Sequence, residues 1–250
     1  MNLSLDEIAA RLAGLEETLI YKLLDRAQFA ANGGAYLPSR SGFVPQEASS
    51  LFELRLYHQE KLDAKFGRYL IPEERPFYLG LPQPRRKPPQ GEWPFPIQDL
   101  ETVNVTGPIR AGYHALLPRL CREGDDGQWG SSVEHDVICL QALARRIHFG
   151  ALYVGESKFE ESPDKFRKLV EADDEEGILE AITRSEVEAR VLARVRSKVE
   201  AVQSVSDPSL RLIVDPEVFV GVFRDVLIPL TKEGEIRYLS QRVNLQHTSS

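Results

Sequence analysis

Few of the residues that ordinarily carry catalysis stand at spacings that would let them act together in this chain. The five histidines are scattered. There is no His-x-x-x-His or Cys-x-x-Cys spacing for a metal, no Gly-x-Ser-x-Gly turn to expose a nucleophile, and no glycine-rich loop to cradle a phosphate. His148 lies in the most distinctive stretch, yet a lone histidine on a helix reads first as a packed or capping residue. Cys121 and Cys139 have neither metal-ligand spacing nor the numbers of a disulfide framework, and read as reduced thiols. The run Arg85-Arg86-Lys87 reads as a solvated loop face, with a phosphate contact as the lesser alternative. No metal or redox cofactor is suggested. An enzyme without these groups must work by positioning and by fixed charge.

The composition allows that. The 250 residues are 42% hydrophobic, enough for a substantial core, and 28% charged. A net charge of −7 argues against a general nucleic-acid or anionic-membrane binder. A local cluster of Arg and Lys could still hold a small anion. Met1 to Ile8 carries acids rather than a basic and then apolar run, so no signal peptide is read. No stretch approaches the ~20 apolar residues of a membrane span. The cytosol is the expected compartment.

The elements that must position any site are helices. Leu5, Ile8, Leu12, Leu15, Leu19, Leu23 and Leu24 recur at three- and four-residue spacings, and predict a helix over Ser4–Asn32 that opens on a Ser4/Glu7 capping box. Gly33 and Gly34 would end it. A loop over Ala35–Pro45 leads to a second helix over Gln46–Phe66, closed by Gly67. The stretch 80–98 is a Pro-rich loop in which no helix survives. Further helices are expected over Glu101–Cys121, from Ser131 or Ser132 to Phe159, from Ser162-Pro163 to Ala172, over Asp173–Ser185, and over Val187–Val202. A last helical region should run from Pro216 to about Val243, kinked at Pro229, with a frayed tail over 244–250. No alternating strand pattern and no repeat are present. The reading is an all-α, multi-helix bundle with one long core helix, no significant sheet, and a single domain over 1–250.

Four segments carry a resemblance. Cys139-Leu140-Gln141-Ala142-Leu143-Ala144-Arg145-Arg146-Ile147-His148-Phe149-Gly150 resembles the core helix of fungal and plant chorismate mutases. Ile228-Pro229-Leu230-Thr231-Lys232-Glu233-Gly234-Glu235-Ile236-Arg237-Tyr238-Leu239 is similar to their C-terminal motif. The run from Leu15 to Arg26 resembles their first helix, and Gly124-Asp125-Asp126-Gly127 with Gly130-Ser131 resembles the approach to the core helix. The resemblance implies a homodimer and a [3,3]-sigmatropic Claisen rearrangement of chorismate, a small dicarboxylate, or of a close relative, to prephenate. That step lies on the route to phenylalanine and tyrosine. It implies no cofactor and no covalent intermediate.

Carried over residue by residue, the resemblance assigns a substrate-carboxylate clamp to Arg146, a donor to the ether oxygen and a carboxylate to Lys158, and the ring-hydroxyl partner to Glu188. It assigns the C-terminal pair to Thr231 and Glu235, with Glu235 acting protonated. Three positions depart from the family pattern. The first-helix arginine falls on Ala9, and Arg11, ~200° away around a helix, should face elsewhere. The residue one turn before Glu188 is Arg184, with two readings: it restores the missing charge, or it marks a changed substrate. Arg146 and Lys158 are twelve positions apart where the family has eleven. Twelve steps of ~100° miss the same face by ~120°, so a π-bulge near Gly150 to Gly155 is predicted.

The family's effector cleft maps onto Arg68, Gly130, Ser131 and Glu134, with Gly67 where a second arginine would stand. A carboxylate at Glu134 and one fewer arginine both disfavour an amino-acid carboxylate there. Two alternatives to the rearrangement of chorismate are weighed: an enzyme of the same fold with a changed substrate in secondary metabolism, and a non-catalytic binding protein that kept the fold.

Overall fold

The computed structural model describes residues 4–87, 93–97 and 99–247, with side chains up to 245. It is all helical. Among the described residues the only strand-like pairing is an isolated bridge between Ala30 and Arg122.

Helix α1 (Leu5–Arg26) opens on the expected capping box, with Ser4 and Glu7 each satisfying the other's backbone N–H. It stops at Arg26 rather than reaching Asn32. The Arg26 guanidinium is wholly buried. Its Nη1 donates to the Phe29 and Ala30 carbonyls at 3.4 and 3.0 Å, and its Nε to Asp136 at 2.5 Å. Those carbonyls serve the buried charge instead of a helical ladder. Helix α2 (Leu51–Lys65) begins five residues later than expected, on a second capping box made by Ser50 and Glu53. Gly67 closes it at φ +79°, a left-handed conformation suited to glycine.

Helix α3 (Thr106–Leu120) follows a short 3-10 turn over Leu100–Val103, so the expected helix from Glu101 is interrupted. The interruption has local causes. Asn104 Oδ1 accepts from the Thr106 N–H at 2.8 Å, and His148 Nε2 accepts from the Val105 N–H at 3.1 Å. His148 is thus a packed, capping residue. Burial pushes its pKa down to about 3, so it stays neutral.

Helix α4 (Trp129–Phe149) starts two residues before Ser131, earlier than expected. Ser132 Oγ donates to the Gln128 carbonyl and accepts from Asn32 Nδ2. The chain continues without a break through a π turn (Gly150–Val154) into α5 (Gly155–Glu161). Then come α6 (Pro163–Glu171), α7 (Glu175–Ile182), α8 (Ser185–Ser204) and α9 (Pro216–Val222). A second π turn (Phe223–Leu227) joins α9 to α10 (Ile228–His247). That turn takes up the disturbance expected at Pro229, whose ring would clash with the carbonyl four residues earlier in a regular helix. The last helix covers the first residues of the tail expected to fray, and 248–250 lie outside the described residues, as do 88–92 and 98 of the Pro-rich loop.

The continuous run Trp129–Glu161 is the spine. Contrary to the reading of the sequence, an 18-residue stretch of it is apolar enough to cross a membrane by length and composition, but 78% of that stretch is buried inside the fold, as in a core helix. One apolar cluster packs α1, α2, α3, α8 and α9 around α4. A second gathers the π turn after α4, α5, α6, α7 and α10. The two meet near Arg146.

Candidate functional site

A cavity of about 470 Å³ opens where the two clusters meet. Arg146 comes from α4, Lys158 from α5, Glu188 from α8, and Thr231 and Glu235 from α10. Ala9 and Arg184 also line it, so all seven residues predicted for the substrate site share one hollow.

The π turn is what lets Arg146 and Lys158 meet there. It lies within the predicted interval and closes i→i+5, swallowing the one residue that would have turned Lys158 away. Glycine then lets α10 approach it. A Cβ added at Gly150 would stand 2.7 Å from Thr231 Cγ2, and one at Gly155 would stand 2.8 Å from Tyr238 Cδ1. Gly234 of α10 returns the favour: a Cβ there would stand 2.6 Å from that of Ala151. A larger residue at Gly150 or Gly234 would hold α10 away from the spine, whereas one at Gly155 would press only on the Tyr238 side chain.

The charged groups predicted for the site are each held by a partner. Arg146 is almost wholly buried, and its Nη2 donates to Glu16 Oε1 at 2.8 Å. Glu16, at 1% exposure, also accepts from Arg194 Nη2 at 2.5 Å. Burial lowers the Arg146 pKa and the Glu16 carboxylate works against that. Arg146 Nε is buried with no acceptor among the described residues, a donor kept in reserve. Lys158 Nζ donates to Glu235 Oε2 at 2.6 Å and to the Ile182 carbonyl at 2.7 Å. Burial raises the Glu235 pKa, against the lowering effect of Lys158. Glu188 is bound by Lys232 Nζ at 2.6 Å. Thr231 Oγ1 donates to the Leu227 carbonyl at 2.7 Å, which fixes its rotamer.

This arrangement can seat an anion on Arg146 and bring Lys158, and Glu235 when it is protonated, to one spot in the cavity as hydrogen-bond donors. It contains no nucleophile set beside a base. Among the described residues no group of three or more His, Cys, Asp or Glu could hold a metal.

The wall given by α1 is Leu5, Asp6, Ile8, Ala9 and Leu12, with no cation. Arg11 is not part of the lining. Arg184 reaches the rim, where its Nη2 donates to Glu161 at 2.9 Å. Sequence reasoning missed Glu16, Arg190, Arg194 and Lys232. Glu16 carried a signal: it lies four residues after Leu12 and three before Leu19, a carboxylate on the apolar stripe.

The residues mapped to the effector cleft are not assembled by one chain. Arg68 is engaged by Asp63, Glu74 and Gln141 at 3.2, 2.9 and 2.7 Å. Ser131 lies ten residues before Gln141 on α4, ~15 Å along the helix. Glu134 faces Arg55 at 3.5 Å. Arg85, Arg86 and Lys87 are exposed, as a solvated face requires. Cys121 and Cys139 are buried free thiols.

No family model matches the chain. Among curated proteins it is 37% identical to a chorismate mutase from Trichoderma parareesei, over 96% of this chain and 94% of that one. It is 36% identical to the chloroplastic chorismate mutase 1 of Zea mays, over 97% of this chain and 80% of that one. Among solved structures it superposes with a TM-score of 0.88 on the Aro7p chorismate mutase of Candida albicans in complex with L-Trp. That pair is 33% identical and covers 96% of this chain and 92% of the other.

Proposed function

The chain belongs to the chorismate mutase family, and on that premise we propose that its cavity rearranges chorismate to prephenate through Arg146, Lys158, Glu188, Thr231 and Glu235. The activity is that of an isomerase of aromatic amino-acid biosynthesis. The relatives' shared name favours this over a changed substrate or a lost chemistry. The observation that carries the assignment of residues is convergence: five side chains from four separate helices border one hollow.

In this reading the substrate needs no bond to the protein. It needs a compact shape with its reacting carbons in contact, and stabilisation of the negative charge growing on the ether oxygen as the C–O bond breaks. Arg146 binds a carboxylate with the N–H groups that Glu16 leaves open, including the buried Nε. Glu16 and Arg194 fix the plane of that guanidinium. Lys158 and Glu235 turn from each other to the ether oxygen. Burial favours the protonated, donating form of Glu235, and the apolar part of the wall limits competing water. Glu188, braced by Lys232, accepts from the ring hydroxyl. Ala9 and Arg184 shape the mouth.

We further propose a cytosolic homodimer. In support, Leu62 of α2 and Phe66 just past its end are exposed one turn apart, and the thiols are unpaired. Arg68 could then meet Gly130, Ser131 and Glu134 only across a dimer axis. The test is direct. Purified protein is given chorismate, and prephenate formation is followed beside Arg146→Ala. Turnover in the parent and a loss of at least a hundredfold in the variant are expected; turnover that survives Arg146→Ala would place the chemistry elsewhere.

A further inference from the structure

Helix α1 brings no positive charge to a cavity meant for a dianion. Arg146 answers one carboxylate. The other has no counter-charge on α1, where Ala9 stands among apolar neighbours and Asp6. A carboxylate removed from water without a partner is strongly disfavoured. Two arginines border the same opening, Arg184 just before α8 and Arg190 within it. Arg184 is already engaged by Glu161. Arg190 lines the cavity, is exposed, and forms no ion pair with any described residue.

The direction of Arg190 follows from its neighbours on the helix. Arg194, one turn on and on the same stripe, reaches Glu16 of α1. Glu188, on the opposite flank, is held by Lys232 of α10. Arg190 therefore stands on the edge of α8 that faces α1. The two helices run in the same sense there, since Glu16 pairs with Arg194 and Glu17 with Lys198. One turn back from Glu16 and Arg194 are Leu12 and Arg190. Ala9 lies three residues further, ~4.5 Å along α1. Arg190 thus overhangs the bare wall where the charge is missing.

We propose that Arg190 is a substrate-binding residue that anchors the carboxylate turned toward α1, a task moved from the first helix to the eighth. This rests on the chorismate reading of the cavity. Turnover of chorismate by the parent protein is therefore measured first, and its absence would count against that reading alone. Given turnover, Arg190→Ala should lower kcat/KM about 30-fold, chiefly through KM, as loss of a charge-assisted pair predicts. Its melting temperature should not move, because the side chain is exposed. Adding Ala9→Arg to Arg190→Ala should recover most of the loss, which a merely structural arginine would not allow. A competitive inhibitor that keeps the ring carboxylate but lacks the side-chain one should bind the parent and Arg190→Ala alike. The proposal is overturned if Arg190→Ala stays within twofold of the parent, if Ala9→Arg recovers nothing, or if the monoanionic inhibitor weakens as much as chorismate.

Discussion

Replacing Gly150 by alanine should disable the site while leaving the fold nearly intact. The new methyl would stand 2.7 Å from Thr231 Cγ2 and 3.2 Å from Arg146 Nη1. Carbon atoms rest at about 3.5–4.0 Å, so the shortfall is about 1 Å. Thr231 cannot swing aside without giving up its bond to the Leu227 carbonyl. Helix α10 must therefore withdraw, and Glu235, one turn on from Thr231, withdraws with it. Overpacking of this kind costs about 1–3 kcal/mol, partly offset by about 0.5–1 kcal/mol from the lower backbone entropy of alanine. A net loss of ~1–2 kcal/mol is a melting temperature lower by about 5 °C in a chain of this size. A 1 Å displacement of catalytic groups costs about a hundredfold in rate. Gly155→Ala is the matched control: its methyl meets Tyr238 at 2.8 Å, and Tyr238 does not line the cavity. The two variants should melt alike, and kcat/KM should collapse only in Gly150→Ala. A Gly150→Ala enzyme within threefold of the parent would refute the claim that this glycine sets the spacing of the site.

Other consequences can be measured as readily. Burial raises the Glu235 pKa, and the proposed mechanism uses its protonated form, so kcat should fall as pH rises through that raised value. Glu235→Gln, a neutral donor at every pH, should flatten the fall, and equal slopes in the two enzymes would count against the protonated role. Asp136 is wholly buried and takes bonds from Arg26, Tyr36 and Tyr113. Asp136→Ala strands the Arg26 charge and should cost about 3–5 kcal/mol in urea unfolding, with a loss below 1 kcal/mol contradicting the pairing. Burial raises the Glu60 pKa to about 7, against the backbone N–H groups of Phe77 and Tyr78. Protonated Glu60 thus contributes stability that is complete below its ordinary carboxylate range and lost as pH rises through about 7. Glu60→Gln should make melting temperature less dependent on pH between 5 and 8, by a few degrees, and an unchanged slope would show that another group sets it.

Local signals carried much of this architecture. The Ser4/Glu7 box and the leucine stripe place the start of α1, and Pro163 and Pro216 mark the starts of α6 and α9. A separation of twelve positions between Arg146 and Lys158 was enough to demand an irregular turn. What stayed hidden depended on distant partners. Arg26 ends α1 because Asp136, 110 residues away, holds it inside the core. His148 interrupts the chain before α3 by accepting a backbone N–H 43 residues away. The Ser50-Leu-Phe-Glu53 box was legible and marks the true start of α2, but the polar run from Gln46 reads as helix equally well. Among the site residues, Arg190 has no motif to mark it. Its meaning appears only once α8 is seen lying beside the bare wall of α1.

The wide turn at Gly150–Val154 also bears on how such a chain can vary. Additions normally survive in surface loops, because one residue inserted into a buried helix rotates everything downstream and scrambles the core. Here the spine behaves as an expansion joint. A residue added at this point stays local, the phase on either side is kept, and ancestral length differences can be lodged in the middle of the longest buried element.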